Sequence, residues 1–89
     1  MSKSDDVAIL VSEHSYAMLK TLQLPKNMVK PHWNTQTLDD LFFLLEKEVD
    51  ELRMALLDYC EYGGPADHVR SEASDVSNFA AMIADRCKS

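Results

Sequence analysis

Residues 38–59 read LDDLFFLLEKEVDELRMALLDY, and how this stretch is read decides the fold. Leu38, Phe42, Leu45, Val49, Leu52, Leu56 and Tyr59 advance in alternating steps of four and three, the spacing of a helical heptad seam. A second line runs beside the seam through Leu41, Leu44, Glu48, Glu51, Ala55 and Asp58. Glu48 and Glu51 thus occupy slots that would otherwise extend an apolar flank. Glu46, Lys47 and Asp50 fall further round the helix and read as solvated.

The following stretch repeats the arrangement. Gly63 and Gly64 stop the first helix, and Pro65 suits the first turn of the next. The new seam is Val69, Ala73, Val76, Ala80, Ile83 and Cys87; its flank is Glu72, Asp75, Phe79, Met82 and Arg86. Each helix therefore carries two acids three residues apart, one turn from each other on one face. So short a connection makes the two helices antiparallel neighbours, with the acid pairs at similar heights. Four carboxylates, Glu48, Glu51, Glu72 and Asp75, are expected to converge.

Upstream, Ser4 is expected to cap a helix whose stripe is Val7, Leu10, Val11, Met18 and Leu22, with Asp5 and Asp6 in its first turn. His14 lies in that stripe and reads as a core-edge or interface histidine. No acid stands three residues before any histidine, so the E-x-x-H pattern of di-iron bundles is missing. From Pro25 to Gln36 the periodicity breaks, and a connecting loop is expected. Lys26, Lys30, His32 and Trp33 make this loop a basic and aromatic cluster in an acidic chain. Trp33 either plugs one end of the bundle or lines a pocket and stacks on a base. Thr37 caps the helix that begins at Leu38, and Asp40 follows at capping-box spacing.

With 89 residues the chain is expected to be one domain, 1–89, too small to bury a large core without a partner subunit. Scarce glycine and proline, few β-branched runs and abundant Leu, Ala, Met, Glu and Lys predict an all-α fold. The expected architecture is an antiparallel helical bundle of three main helices. A net charge of −6 argues against nucleic acid or an anionic membrane as the main partner. Cys60 and Cys87 read as free thiols of a reducing compartment. No apolar run approaches the roughly 18 residues of a membrane span. The first six residues carry no apolar signal-peptide core, so a cytoplasmic location is expected.

A bare cluster of four carboxylates is costly, because like charges repel and burial penalises ionisation. A hard divalent cation relieves both, and Mg²⁺, or Mn²⁺, fits an all-carboxylate site. Mg²⁺ also takes substrate phosphate into its shell. The glycine-rich loop of P-loop kinases and ATPases is missing from the sequence.

Leu-Glu-Lys-Glu-Val-Asp-Glu-Leu at 45–52 and Glu-Ala-Ser-Asp-Val-Ser-Asn-Phe at 72–79 together resemble the signature of the MazG-like all-α nucleoside triphosphate pyrophosphohydrolases, E-E-x-x-E followed by E-x-x-D. The resemblance covers about residues 30–87. His-Trp-Asn at 32–34 and Asn-Phe-Ala-Ala-Met-Ile-Ala-Asp at 78–85 make it most similar to the short phage- and cassette-type members. It implies hydrolysis of (deoxy)nucleoside triphosphates between the α- and β-phosphates, giving the monophosphate and pyrophosphate. It implies Mg²⁺ on Glu48, Glu51, Glu72 and Asp75, with Glu48 or Glu51 activating water. Asn78 and Arg86 would bind substrate together with Trp33, Lys30 and His32, and Lys88 would assist. It also implies a four-helix core completed in a homodimer or homotetramer. Lys47 replaces the first acid of the E-E doublet, and Phe79 stands where some relatives carry tyrosine. A dUTPase-type specificity within the same superfamily and a non-catalytic helical interaction module are the alternatives.

Overall fold

The computed structural model describes residues 2–88, and it is all-α, with no strand among the described residues. Helix α1 spans Lys3–Leu22, a single turn α2 spans Pro25–Met28, and a 3₁₀ turn spans Trp33–Thr35. Helix α3 spans Leu38–Tyr62 and α4 spans Ala66–Arg86.

Local chemistry accounts for the helix ends. At the start of α1 the cap is Ser2, not Ser4: the Ser2 hydroxyl accepts from the Asp5 N–H, and the Asp5 carboxylate accepts in return from the Ser2 N–H. The reciprocal box satisfies two amides that no helical carbonyl can reach, which favours the earlier start. Thr37 caps α3 by accepting from the Asp40 N–H at 3.1 Å. Gly63 ends α3 in the left-handed region, φ 71°, where a side chain is strained. Its neighbour Gly64 donates to the Asp58 carbonyl, and a Cβ there would collide with the Asp58 carboxylate. Pro65 stands just ahead of the first helical residue of α4.

The expected loop at 25–36 is more ordered than its composition implies. Pro25 at the first helical position starts the α2 turn, because its fixed φ suits a helix start. His32 starts the 3₁₀ turn, its Nδ1 accepting from the Asn34 N–H at 3.1 Å.

Helix α4 is the shared element, packing extensively against α3 and also against α1. The buried apolar residues among the described residues are Leu41 and Ala55 on α3; α4 buries two polar residues, Ser74 and Asn78. Ser74 is satisfied by its own helix, donating to the Arg70 carbonyl. Leu41 and Ala55 belong to the flank that carries Glu48 and Glu51. Thus α3 turns its acid-bearing line inward and leaves the heptad seam half exposed: Phe42 is 54%, Leu56 47% and Tyr59 48% accessible.

Candidate functional site

The inward turn of the α3 flank places its acids against those of α4. Glu48 and Glu51 come from α3, one turn apart, and Glu72 comes from α4. One oxygen from each of the three lies within 4.8 Å of the others. Asp75, one turn beyond Glu72, stands outside that trio, although its charge acts on both Glu48 and Glu72. The structure therefore groups three of the four acids tightly and keeps the fourth beside them.

The electrostatics follow from this crowding. Burial pushes the Glu48 carboxyl up from 4.5 to about 7; a hydrogen bond to Glu51 and the charges of Glu51, Asp75 and Glu72 add to the effect. Glu72 is raised by burial and then by Asp75 and Glu51, while a hydrogen bond from His68 opposes the rise. His68 Nε2 lies 3.2 Å from Glu72 Oε1. Asp75 is raised by burial, with Lys26 and Lys30 pulling the other way. The two lysines of the 25–36 segment are thus electrostatically coupled to the acids.

Glu48 Oε2 and Glu72 Oε2 are buried and have no hydrogen-bond partner. A buried carboxylate oxygen without a donor is unfavourable. Three converging carboxylates offer only hard oxygen donors, a set suited to Mg²⁺ or Mn²⁺ and poorly suited to softer metals. Acidic clusters are also common where no ion binds.

The remaining residues singled out in the sequence lie around the end of α4. Trp33 donates from Nε1 to Asp85 Oδ2 at 2.8 Å, and its ring stacks on His32 with centroids 4.0 Å apart. Arg86 donates to the carbonyls of Trp33 and Gln36, so its guanidinium is engaged in holding the 3₁₀ turn onto α4. Lys88 pairs with Asp85 at 2.7 Å. Asn78 is 3% exposed and donates from Nδ2 to the Met18 carbonyl of α1 at 3.3 Å; its Oδ1 has no partner. Trp33, Asn78, Asp85 and apolar residues of α1 and α4 line an open cleft of about 380 Å³.

His14 takes up the edge position expected of it, half-buried, with Nε2 2.7 Å from the Ser77 hydroxyl. Asp85 is a member of this region that sequence reasoning missed. An exposed-looking acid at a helix end carries no local signal that an indole 52 residues away will bond to it. Cys60 and Cys87 are exposed free thiols, and no helix among the described residues is long and apolar enough to cross a membrane.

Comparison of the chain with family models, curated proteins and solved structures finds no match.

Proposed function

We propose that this chain is a Mg²⁺-dependent nucleoside triphosphate pyrophosphohydrolase. The observation that carries the reading is the trio of Glu48, Glu51 and Glu72, gathered from two helices with buried, unpartnered oxygens on Glu48 and Glu72. Those two residues with Glu51 and Asp75 would hold the metal. When bound, Mg²⁺ supplies charge neutralisation for the polyphosphate during transfer of the α-phosphorus. A glutamate of the Glu48–Glu51 pair orients the attacking water and takes its proton. Water oxygen bonds to the α-phosphorus, the bond to the α–β bridging oxygen breaks, and pyrophosphate leaves with that oxygen. Lys26 and Lys30, whose charges act on Asp75, would hold phosphate oxygens.

The assay is release of pyrophosphate, rather than orthophosphate, from dATP, dCTP, dGTP, dTTP and dUTP with Mg²⁺. Turnover of at least one is expected, at rates on the order of 1 s⁻¹ or above. A complete lack of turnover at micromolar enzyme would remove the reading and leave the helical interaction module. Preference for dUTP alone would mark the dUTPase-type specificity.

A second copy of the chain completes the core in this proposal. The α3 seam is its support: Leu38, Phe42, Val49, Leu56 and Tyr59 form a heptad line that no element among the described residues covers fully. Two α3–α4 hairpins packed through that line give the four-helix arrangement. Wild-type protein is expected to sediment at twice or four times its 10.1 kDa mass, and Val49→Glu to shift it toward monomer. A 10.1 kDa wild-type species at micromolar concentration would rule the arrangement out.

A further inference from the structure

We infer that His68 is a positioning residue: from the start of α4 its ring holds one oxygen of the Glu72 carboxylate and leaves the other free for a divalent cation. The inference rests on the proposed metal site and adds to it a residue outside the acid cluster.

The contact runs from the surface inward. The His68 side chain is 53% exposed and that of Glu72 15%, and His68 Nε2 lies 3.2 Å from Glu72 Oε1. An ionised carboxylate can only accept, so Nε2 carries the hydrogen. The two residues are four apart on α4, the spacing at which helix side chains meet. The backbone of His68 is fixed as well: its N–H donates to the Pro65 carbonyl, just after the glycines that end α3.

The two Glu72 oxygens therefore differ. Oε1 is taken by the imidazole, whereas Oε2 is buried and has no partner. One Glu72 oxygen also lies within 4.8 Å of oxygens of Glu48 and Glu51. A glutamate side chain rotates about several bonds, and ordering it on a cation costs conformational entropy. A carboxylate tied at one oxygen has lost part of that freedom before the cation arrives. Removing such a partner of a ligating group typically weakens metal binding by about ten- to a hundredfold.

Two simpler roles fit the contact less well. An exposed pair one turn apart contributes little to folding, so stability does not account for it. Nor is the imidazole one of the converging ligands, since the three groups within 4.8 Å of one another are all carboxylates.

The test is calorimetric titration of nucleotide-free protein with Mn²⁺. His68→Leu and His68→Ala are each expected to raise the Mn²⁺ Kd about tenfold. Their metal-free melting temperatures are expected to stay within about 2 °C of wild type. His68→Gln, whose amide can donate from a similar reach, is expected to return the Kd to within about threefold of wild type. An unchanged Kd in His68→Leu and His68→Ala overturns the inference and leaves the proposed metal site standing. His68→Gln as weak as His68→Leu also overturns it, because the lost group would then be a ligand rather than a donor. Wild-type protein that binds no Mn²⁺ removes the inference together with the metal site on which it rests.

Discussion

Glu48→Gln is expected to reduce pyrophosphate release from the best substrate by roughly a hundredfold or more, while raising the melting temperature of the metal-free protein. The first effect follows from Glu48 being the acid on which the charges of the other three all act. Removing its charge removes a ligand from the proposed metal and a candidate base for water, and metal-supplied charge stabilisation alone amounts to several kcal/mol. The second follows from repulsion. Glu48 has the carboxyl raised to about 7, by burial first and by its neighbours' charges next. An amide of the same shape carries no charge to desolvate and can donate to Glu51. A rise of a few degrees is expected for a domain of this size. The opposite signs are the informative part. A structural residue would lower both quantities, and a bystander would change neither. Unchanged turnover in Glu48→Gln would remove the carboxylates from the reaction.

Metal-free protein is also expected to lose stability as pH rises from 5 to 8, the reverse of the usual behaviour of paired acids. Glu48, Glu72 and Asp75 all have carboxyls raised above their ordinary values. A raised acid binds its proton more tightly in the folded chain than in the unfolded one. Its stabilising contribution is complete below the unfolded value, 4.5 for Glu48, and is lost as pH passes the folded value of about 7. All three acids are partly exposed, so solvent screening reduces the effect to on the order of 1 kcal/mol. That corresponds to a fall of about 5 °C in melting temperature. Mg²⁺ is expected to oppose the loss, with its stabilising effect growing toward pH 8 as the acids give up their protons. Calorimetry across this range, with Mg²⁺ and with a chelator, is the measurement. A flat or rising chelator curve would mean that the acids do not crowd together in solution.

Much of the local structure was legible from residue types and spacing. Thr37, Gly63 and Gly64 bracket α3 where capping chemistry puts them, because a cap depends on residues within one turn, whereas Pro65, expected in the first turn of α4, stands just ahead of it. The acids were legible as pairs for the same reason: three residues make one turn in any α-helix. The start of α1 was misplaced by two residues because Ser2 and Ser4 are both competent caps, and only the reciprocal bond with Asp5 chooses between them. The segment 25–36 reads as a loop by composition, yet it holds two short turns whose ends are secured from elsewhere. Arg86 reaches the Trp33 and Gln36 carbonyls, and Asp85 takes the indole N–H. The basic group anticipated near phosphate is engaged with the backbone, and Lys26 and Lys30 are the cations that act on Asp75.

The sequence by itself determined an all-α chain, its two long paired helices and one acid pair on each. Helix period, capping and turn residues act within a few positions and leave little choice. Only the tertiary structure decided which of two adjacent lines on α3 faces α4. Both lines are apolar enough to pack, and local periodicity contains no information about the partner surface. The choice fell on the line carrying Leu41, Glu48, Glu51 and Ala55, which brings three glutamates together and leaves the heptad seam open. The cleft beside them was likewise beyond the sequence. It depends on Trp33 meeting Asp85 and Asn78 meeting Met18, pairs 52 and 60 residues apart along the chain. Such pairs form because α4 lies between α1 and α3, a consequence of how the helices bury their faces against one another.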